Sequence, residues 1–576
     1  MPGYRGLRVR QSVPRASRVA ARAATAAGLA GALVFVCVPS AQARPDRSWI
    51  VVNTTSEADS DGLCALREAV LASNTNQRVD GCSGGGEIDI ISVPDGTYTL
   101  TQGSLVFEAE TEVRGYGAVV RRPAGQEAPE RNEAMARIAA TGHAVIKGVT
   151  FDGSAVQCGG LINEGKLLMV DGIITQTDYQ EPPTSCRAPG AFLNMGTATM
   201  VRTSIINNHG YVPSAFTNYG TLRIVHGLIS GNSAVSSLRF GNRSISTNSG
   251  VLSIYGTTYK DNSPSSLHNT GTLTVWNSSI RGFPGRGVAL LNEGDAVVVK
   301  TSITKNGTGI VNWGTLKVSR SKIADNNAQN YFPTVGGIEN TGTLTLERSS
   351  VTGNTGGGTG GISSSGTMTV KDSTIAGNLA VAWSGPVGGT YSADGAGGVT
   401  VSGNASFVNV TLADNHYEPS LEAEPPSHFS GGLYVAAGSV SLTNSILALN
   451  GHNQPGADNG LDCNGPVTSL GYTYLQRPAG CNFTPATGDI TGGDPRLGPL
   501  GRHGGSTLTM VPMPGSPLLD HGSPAKVGSH APDACSRHDQ RGIRRPADSD
   551  QDGVARCDIG AVERQSLPGT YVRSPS

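Results

Sequence analysis

The sequence predicts an all-β fold, a right-handed parallel β-helix, and three observations predict it. Asn-x-Gly recurs through the middle of the chain, at Asn163/Gly165, Asn194/Gly196, Asn218/Gly220, Asn248/Gly250, Asn269/Gly271, Asn292/Gly294, Asn312/Gly314 and Asn340/Gly342. Apolar residues follow most of these glycines at the second and fourth positions (Leu222 and Ile224, Leu252 and Ile254, Leu316 and Val318) and at the ninth (Ile205, Ile229, Ile303, Ile323). An Asn closes most blocks at the twelfth position, as at Asn208, Asn232, Asn326 and Asn378, and an arm of variable length leads to the next block. A fixed block with one elastic arm marks a solenoid. The period inside the block is two, so the block is strand rather than helix. Apolar residues alternate with Thr, Ser, Arg and Lys, so one face is buried and one is wet. The right hand follows from the general handedness of parallel crossovers. The period excludes a helical solenoid, and no blade-length repeat points to a propeller.

The corners carry their own expectations. The inward series changes phase about five or six residues after each glycine, which places a bend there. The closing Asn suits a left-handed backbone, and the glycine of Asn-x-Gly suits the same role at the other corner. Stacked coils put equivalent Asn side chains in register, where they can form amide ladders.

Composition fits this reading. The 576 residues include 79 Gly, with 15% charged and 5% aromatic residues and a net charge of -1. Such a balance argues against nucleic acid or an acidic membrane as partner. Arg5, Arg8, Arg10, Arg15, Arg18 and Arg22 precede an apolar run at 23–38 and an Ala41-Gln42-Ala43 cleavage site. This is a secretory signal at 1–43, so a mature, secreted or surface-exposed monomer without a membrane span is expected from Arg44. Eight cysteines remain, in local pairs expected to be oxidised: Cys64 with Cys82, Cys158 with Cys186, Cys463 with Cys481, and Cys535 with Cys557.

At the N-terminal side, Trp49 to Thr55 reads as a strand. Cys64-Ala65-Leu66-Arg67-Glu68-Ala69 opens a helix whose buried face is Leu66, Ala69, Val70 and Ser73. This stretch resembles the CSLREA domain, with Ala65 where that family has Ser. The resemblance implies an N-terminal module of exported bacterial β-solenoids and no chemistry. Residues 44–103 are thus expected to cap the array, because an open solenoid end exposes core and strand edges. Arg67 and Glu68 read as structural charges. The repeat array is assigned to 104–455.

The C-terminal region, 456–565, is rich in Gly, Pro and Asp and is expected to be an irregular, disulfide-bonded cap; 566–576 is a tail. Asp494-Pro495-Arg496-Leu497-Gly498, Gly515-Ser516-Pro517-Leu518-Leu519-Asp520 and Cys557-Asp558-Ile559-Gly560-Ala561-Val562-Glu563 resemble the choice-of-anchor Q domain. In that family the domain precedes a surface anchor; here no apolar span, sorting motif or barrel follows, which favours release.

Three places invite chemistry. Asp548, Asp550 and Asp552 form a D-x-D-x-D-G loop suited to Ca²⁺, with Asp558 or Glu563 to complete it; the plain alternative is an acidic turn. Six positions after the repeat glycine lies a row of Arg202, His226, Lys300, Arg320 and Arg348, shared by Asp171 and Asp372. It reads either as a solvated strand face or as a stripe for an anionic glycan. Tyr219 and Trp313 occupy the middle of Asn-x-Gly and can stack on sugar rings. The long arms at 233–247, 327–337, 379–400 and 416–430 leave one corner and carry possible contacts: Tyr331 and Phe332, then His416, Tyr417 and His428. The fold resembles that of pectin-lyase-like proteins, whose enzymes cut acidic polysaccharides, yet no clustered Asp pair or glycosidase motif occurs. The sequence therefore favours a non-catalytic solenoid binding a polysaccharide or cell-surface partner; the alternative is a polysaccharide lyase or hydrolase.

Overall fold

Parallel pairing begins at Arg47–Val51 and climbs coil by coil to Ile490–Thr491 in the computed structural model. The structure describes residues 47–565 apart from 59, 124–133, 155–158, 180–189, 211–212, 235–243, 284–286, 329–333, 382, 385–389, 392–394, 419–428 and 453–460. The signal segment, Cys158, Cys186, Tyr331, Phe332 and His428 lie outside the described residues. Among the described strands, 44 join one hydrogen-bonded network. The winding is longer at both ends than the 104–455 of the repeat pattern, because the outermost coils lack the Asn-x-Gly signature.

Each coil has three strands. A five-residue strand such as Thr315–Ser319 follows Asn-x-Gly, a three-residue strand such as Lys322–Ala324 follows the first corner, and a third such as Ile338–Asn340 leads back to the next Asn-x-Gly. We call the sheets they build first, second and third. Registers are strict: Leu316 pairs with Leu344, and Leu344 with Met368. The apolar positions of the repeat point inward as expected, and Leu222, Ile254, Val318, Ile303 and Val351 are all at most 1% exposed.

The corners differ from the expectation in an instructive way. The left-handed residue is the one before the closing Asn, as at Asn207, Asp261, Asp325 and Asp414. The closing Asn is buried instead, because its amide is needed inside. Asn326 donates to Asn354, Asn354 to Asn378, Asn378 to Asn415 and Asn415 to Asn450, each at 2.8–3.0 Å. The Asn of Asn-x-Gly builds a second ladder, from Asn163 through Asn194, Asn218, Asn248, Asn269 and Asn292 to Asn312 and Asn340. The Gly of Asn-x-Gly is not left-handed either. At Gly314 an added Cβ would collide with the carbonyl of Gly294 one coil below, so close approach is what demands glycine.

Helix α1 (Leu66–Thr75) closes the first coils from below. Leu66, Ala69, Val70 and Ser73 are buried, the predicted face. Glu68 accepts from Ala65 N at 2.9 Å, while Ala65 itself offers no capping oxygen. Arg67 pairs with Glu57 at 3.0 Å and bonds the carbonyls of Gly103 and Ser104, a structural role. The disulfide Cys64–Cys82 pins this module, and Cys463–Cys481 and Cys535–Cys557 form as expected. The arms begin in register: Thr355–Gly356, Leu379–Val381, His416–Glu418 and Gly451–His452 form a further parallel ladder at one corner.

The C-terminal region from about Asp494 to Glu563 forms no ladder and runs back along the outside of the upper coils. Leu497, Met510, Leu518 and Ile559 pack on Ala376, Ala413, Ile446 and Ala448 of the second sheet. These alanines stand where lower coils carry Lys260, Arg281 and Thr304.

Candidate functional site: a cationic cleft between the coil corner and the C-terminal region

The bend between the first and second sheets is a single residue with left-handed backbone. Most coils there use residues that tolerate this conformation: Gly148, Asp171, Gly256, Asn277, Asn409 and Asn444. Five do not: Arg202 and His226 lower in the stack, with φ of 48° and 52°, and then three consecutive coils. Lys300, Arg320 and Arg348 hold φ of 49°, 50° and 49°. A long side chain in this region is held there by its surroundings, which here are the regular coils above and below. Hydroxyls beneath the corner fix it: Ser278 N donates to Thr301 Oγ1, Thr301 N to Ser321 Oγ, and Ser321 N to Ser349 Oγ, at 3.1–3.4 Å.

The C-terminal region meets this corner. Ser506 Oγ donates to the Arg320 carbonyl at 2.9 Å, and Leu508 N to Ser350 Oγ at 3.4 Å. Thr374 Oγ1 donates to Gln540 at 2.6 Å, and Asn409 donates to Ser536 at 3.0 Å. A cleft of about 460 Å³ remains between the two, lined by Lys300, Arg320, Arg348, Ser506, His538, Gln540, Arg541 and Gly542. No carboxylate among the described residues lines it.

Its charges are of two kinds. Arg541 is locked by Asp539 and by the carbonyls of His503 and Glu563, and serves as fixed positive wall. Lys300, Arg320 and Arg348 form no ion pair within 4 Å among the described residues, and Nε of Arg348 is buried without a hydrogen-bond partner. Behind Arg348 lies Asp372, whose carboxyl burial pushes up to about 6, against the pull of Arg545, Ser536, Asn409 and Arg348. Planar guanidinium groups offering parallel N–H donors are suited to carboxylate, sulfate or phosphate oxygens.

The structure distributes the other expected contacts differently. Arg202 lies lower in the row and is engaged by Asp171 at 2.6 and 2.8 Å. Trp313 is 53% exposed at the Asn-x-Gly corner, the opposite end of the five-residue strand from the cleft. Tyr417 is only 1% exposed and stacks on Phe429 at 4.6 Å, so it belongs to the packing of the arms and not to a contact surface. The acidic loop is rearranged too. Asp548 and Asp550 converge with Asp520, their oxygens within 4.8 Å of one another, and Asp548 Oδ1 is buried without a hydrogen-bond partner among the described residues. Asp552 accepts from Val554 N, and Asp558 is occupied by Asp520 N, Ser549 and Arg564 N. A hard cation would thus draw on Asp520, Asp548 and Asp550.

Sequence reasoning missed Ser506, His538, Gln540, Arg541 and Asp520, since nothing local says where the C-terminal region docks. One signal was present: from Ala324 upward the outward third position of the second sheet loses its long polar side chains, reading Ala324, Thr352, Ala376, Ala413 and Ala448.

Comparison with known proteins agrees with the fold. Residues 266–447 match the family described as a right handed beta helix region. No curated protein matches the sequence. Among solved structures, the periplasmic alginate epimerase AlgG is similar at 12% identity and a TM-score of 0.30, over 66% of this chain and 92% of that one. Pectate lyase Pel9A is similar at 13% identity and a TM-score of 0.20, over 91% of this chain and 97% of that one. Tailspike protein 3 of bacteriophage CBA120 follows at 8% identity and 0.23, over 71% and 54%. Such values assign neither a residue role nor an activity to this chain. No described helix is long and apolar enough to cross a membrane. The chain is thus a right-handed parallel β-helix with a region similar to that family at its centre.

Proposed function

We propose that this protein is an exported β-helix that binds an acidic polysaccharide without cutting it, in the cleft between the coil corner and the C-terminal region. One observation carries the reading: Lys300, Arg320 and Arg348 stand on successive coils, with no ion pair and no lining carboxylate among the described residues, in one cleft. The three disulfides among the described residues and the signal-like N-terminus support export. The resemblances to the CSLREA and choice-of-anchor Q domains support reading it as a surface or released bacterial solenoid. A Ca²⁺ at Asp520, Asp548 and Asp550 would staple the C-terminal region, and a melting temperature unmoved by calcium would refute that part.

The test is calorimetric titration of polygalacturonate, sulfated dextran and neutral dextran into the wild type and a Lys300→Ala/Arg320→Ala variant. Charged hydrogen bonds contribute about 1.5–3 kcal/mol each. The double variant should therefore lose at least about tenfold in affinity for the acidic glycans, while neutral dextran binds neither protein. Unchanged affinity would sink the reading. Release of unsaturated uronides or reducing ends during incubation would replace binding with catalysis.

A further inference from the structure

Next to the cleft, on the outer face of the first sheet, Tyr255 and Trp276 stand side by side on adjacent coils. They are the two aromatic rings of that outward face that neighbour each other among the described residues. Each is flanked by a cation. The Arg223 guanidinium lies 5.1 Å from the Tyr255 ring, and Lys300 Nζ lies 5.5 Å from the Trp276 ring. Lys300 also lines the cleft, so the ring pair and the cleft form one continuous surface. Trp276 remains 39% exposed. Val299 pairs with Trp276, Ser319 with Val299 and Glu347 with Ser319, so the path from Tyr255 to Arg348 climbs five coils in order.

Resting on the function proposed above, we infer that Tyr255 and Trp276 form an aromatic subsite that makes the site select a chain of acidic sugars, lying along the stacking direction, over a single acid. Four coil steps of about 4.8 Å give a track of about 19 Å, far longer than one sugar ring. Pyranose rings present apolar C–H faces that lie on aromatic surfaces, while their carboxylates can pair with neighbouring cations. The track offers both in sequence: rings at Tyr255 and Trp276, then one cation per coil at Lys300, Arg320 and Arg348. A polyanion without apolar faces, such as an acidic peptide, has no use for the rings.

The experiment compares digalacturonate, hexagalacturonate and hexaglutamate on the wild type, Trp276→Ala, Tyr255→Ser and Lys300→Ala/Arg320→Ala. Trp276 and Tyr255 lie outside the core, and unchanged melting temperatures verify that the variants fold. An aromatic contact contributes about 0.5–1.5 kcal/mol, so each ring variant should bind hexagalacturonate about three- to tenfold more weakly. Digalacturonate, which fits the cations alone, should bind all but the double variant equally. Hexagalacturonate binding that ignores both ring variants yet fails in the double variant overturns this inference and leaves the proposed function standing. Indifference of the double variant overturns both. Hexaglutamate binding as tightly as hexagalacturonate, with the same loss in Trp276→Ala, would put a peptide on the track and overturn the glycan.

Discussion

The coils and the C-terminal region hold together by opposite means. In a coil such as 312–326, every stabilising element is copied above and below: a strand pairs with its own image, an Asn with the next Asn, a corner N–H with the hydroxyl of the next coil. Energy in such an array is a sum of near-identical neighbour terms, and a defect stays local. The region from Asp494 to Glu563 repeats nothing. It rests on one disulfide, on the buried ion pairs Arg541–Asp539 and Arg545–Glu563, and on single contacts to the coils. The cleft lies where the two meet, so its shape and its fixed Arg541 come from the part held by unique contacts, while Lys300, Arg320 and Arg348 come from the part held by repetition.

The C-terminal region is most vulnerable at Arg545. Its guanidinium is fully buried, pairs with Glu563 at 3.0 Å and bonds the carbonyls of Asp558 and Gly560. Arg545→Met strands a buried carboxylate, at a cost of about 3–5 kcal/mol. Limited proteolysis should then cut within 494–563 while the coils below Gly342 resist. Simultaneous loss of both regions would show one cooperative unit instead.

Asp372 gives a pH-dependent version of the same break. It sits on the coil corner facing Arg545, Ser536, Asn409 and Arg348, with its carboxyl pushed up to about 6 from 3.8 by burial. The folded state therefore holds a proton that the unfolded chain releases between these values. The contribution is full below about 3.8 and is lost as pH rises through about 6, a swing of about 3 kcal/mol. Asp372→Asn should flatten the fall in melting temperature across that window and leave the variant the more stable at neutral pH. A parallel fall in both proteins would contradict it.

A cut in the ladder should hurt less and stay where it is made. Asn312 donates to Asn340 and to the carbonyls of Gly314 and Thr343, and accepts from Asn292. Asn312→Ala leaves buried groups unpaired, at a cost of about 1–3 kcal/mol. Hydrogen exchange should speed up in the adjoining coils and not around Arg545; protection lost throughout would argue against independent coils.

The smallest expected effect is a gain. Ala65 precedes helix α1 with extended backbone and no acceptor, so only the Glu68 half of the capping pair is present. Ala65→Ser supplies the other half and should stabilise the N-terminal module by about 1 kcal/mol. Thermal or chemical unfolding of the two proteins measures it, and a lower melting temperature would mean that the buried position has no room for the hydroxyl.

The strands, the inward series and the two amide ladders were legible because the same residues recur at the same offsets, and a period of two has one structural reading. The basic row was legible for the same reason. The reasons behind the corner residues were not: Gly314 and Asn326 looked like left-handed positions, but one is required by a carbonyl of the coil below and the other by an amide inside the stack. Two things belonged to the tertiary structure alone. Ser506 meets Arg320 across 186 residues of chain, and Asp520 meets Asp548 and Asp550 from a separate motif. Repetition writes pairing into local sequence because each partner is a copy of its neighbour, whereas a docking contact occurs once, between unlike residues, and is set by how two surfaces fit.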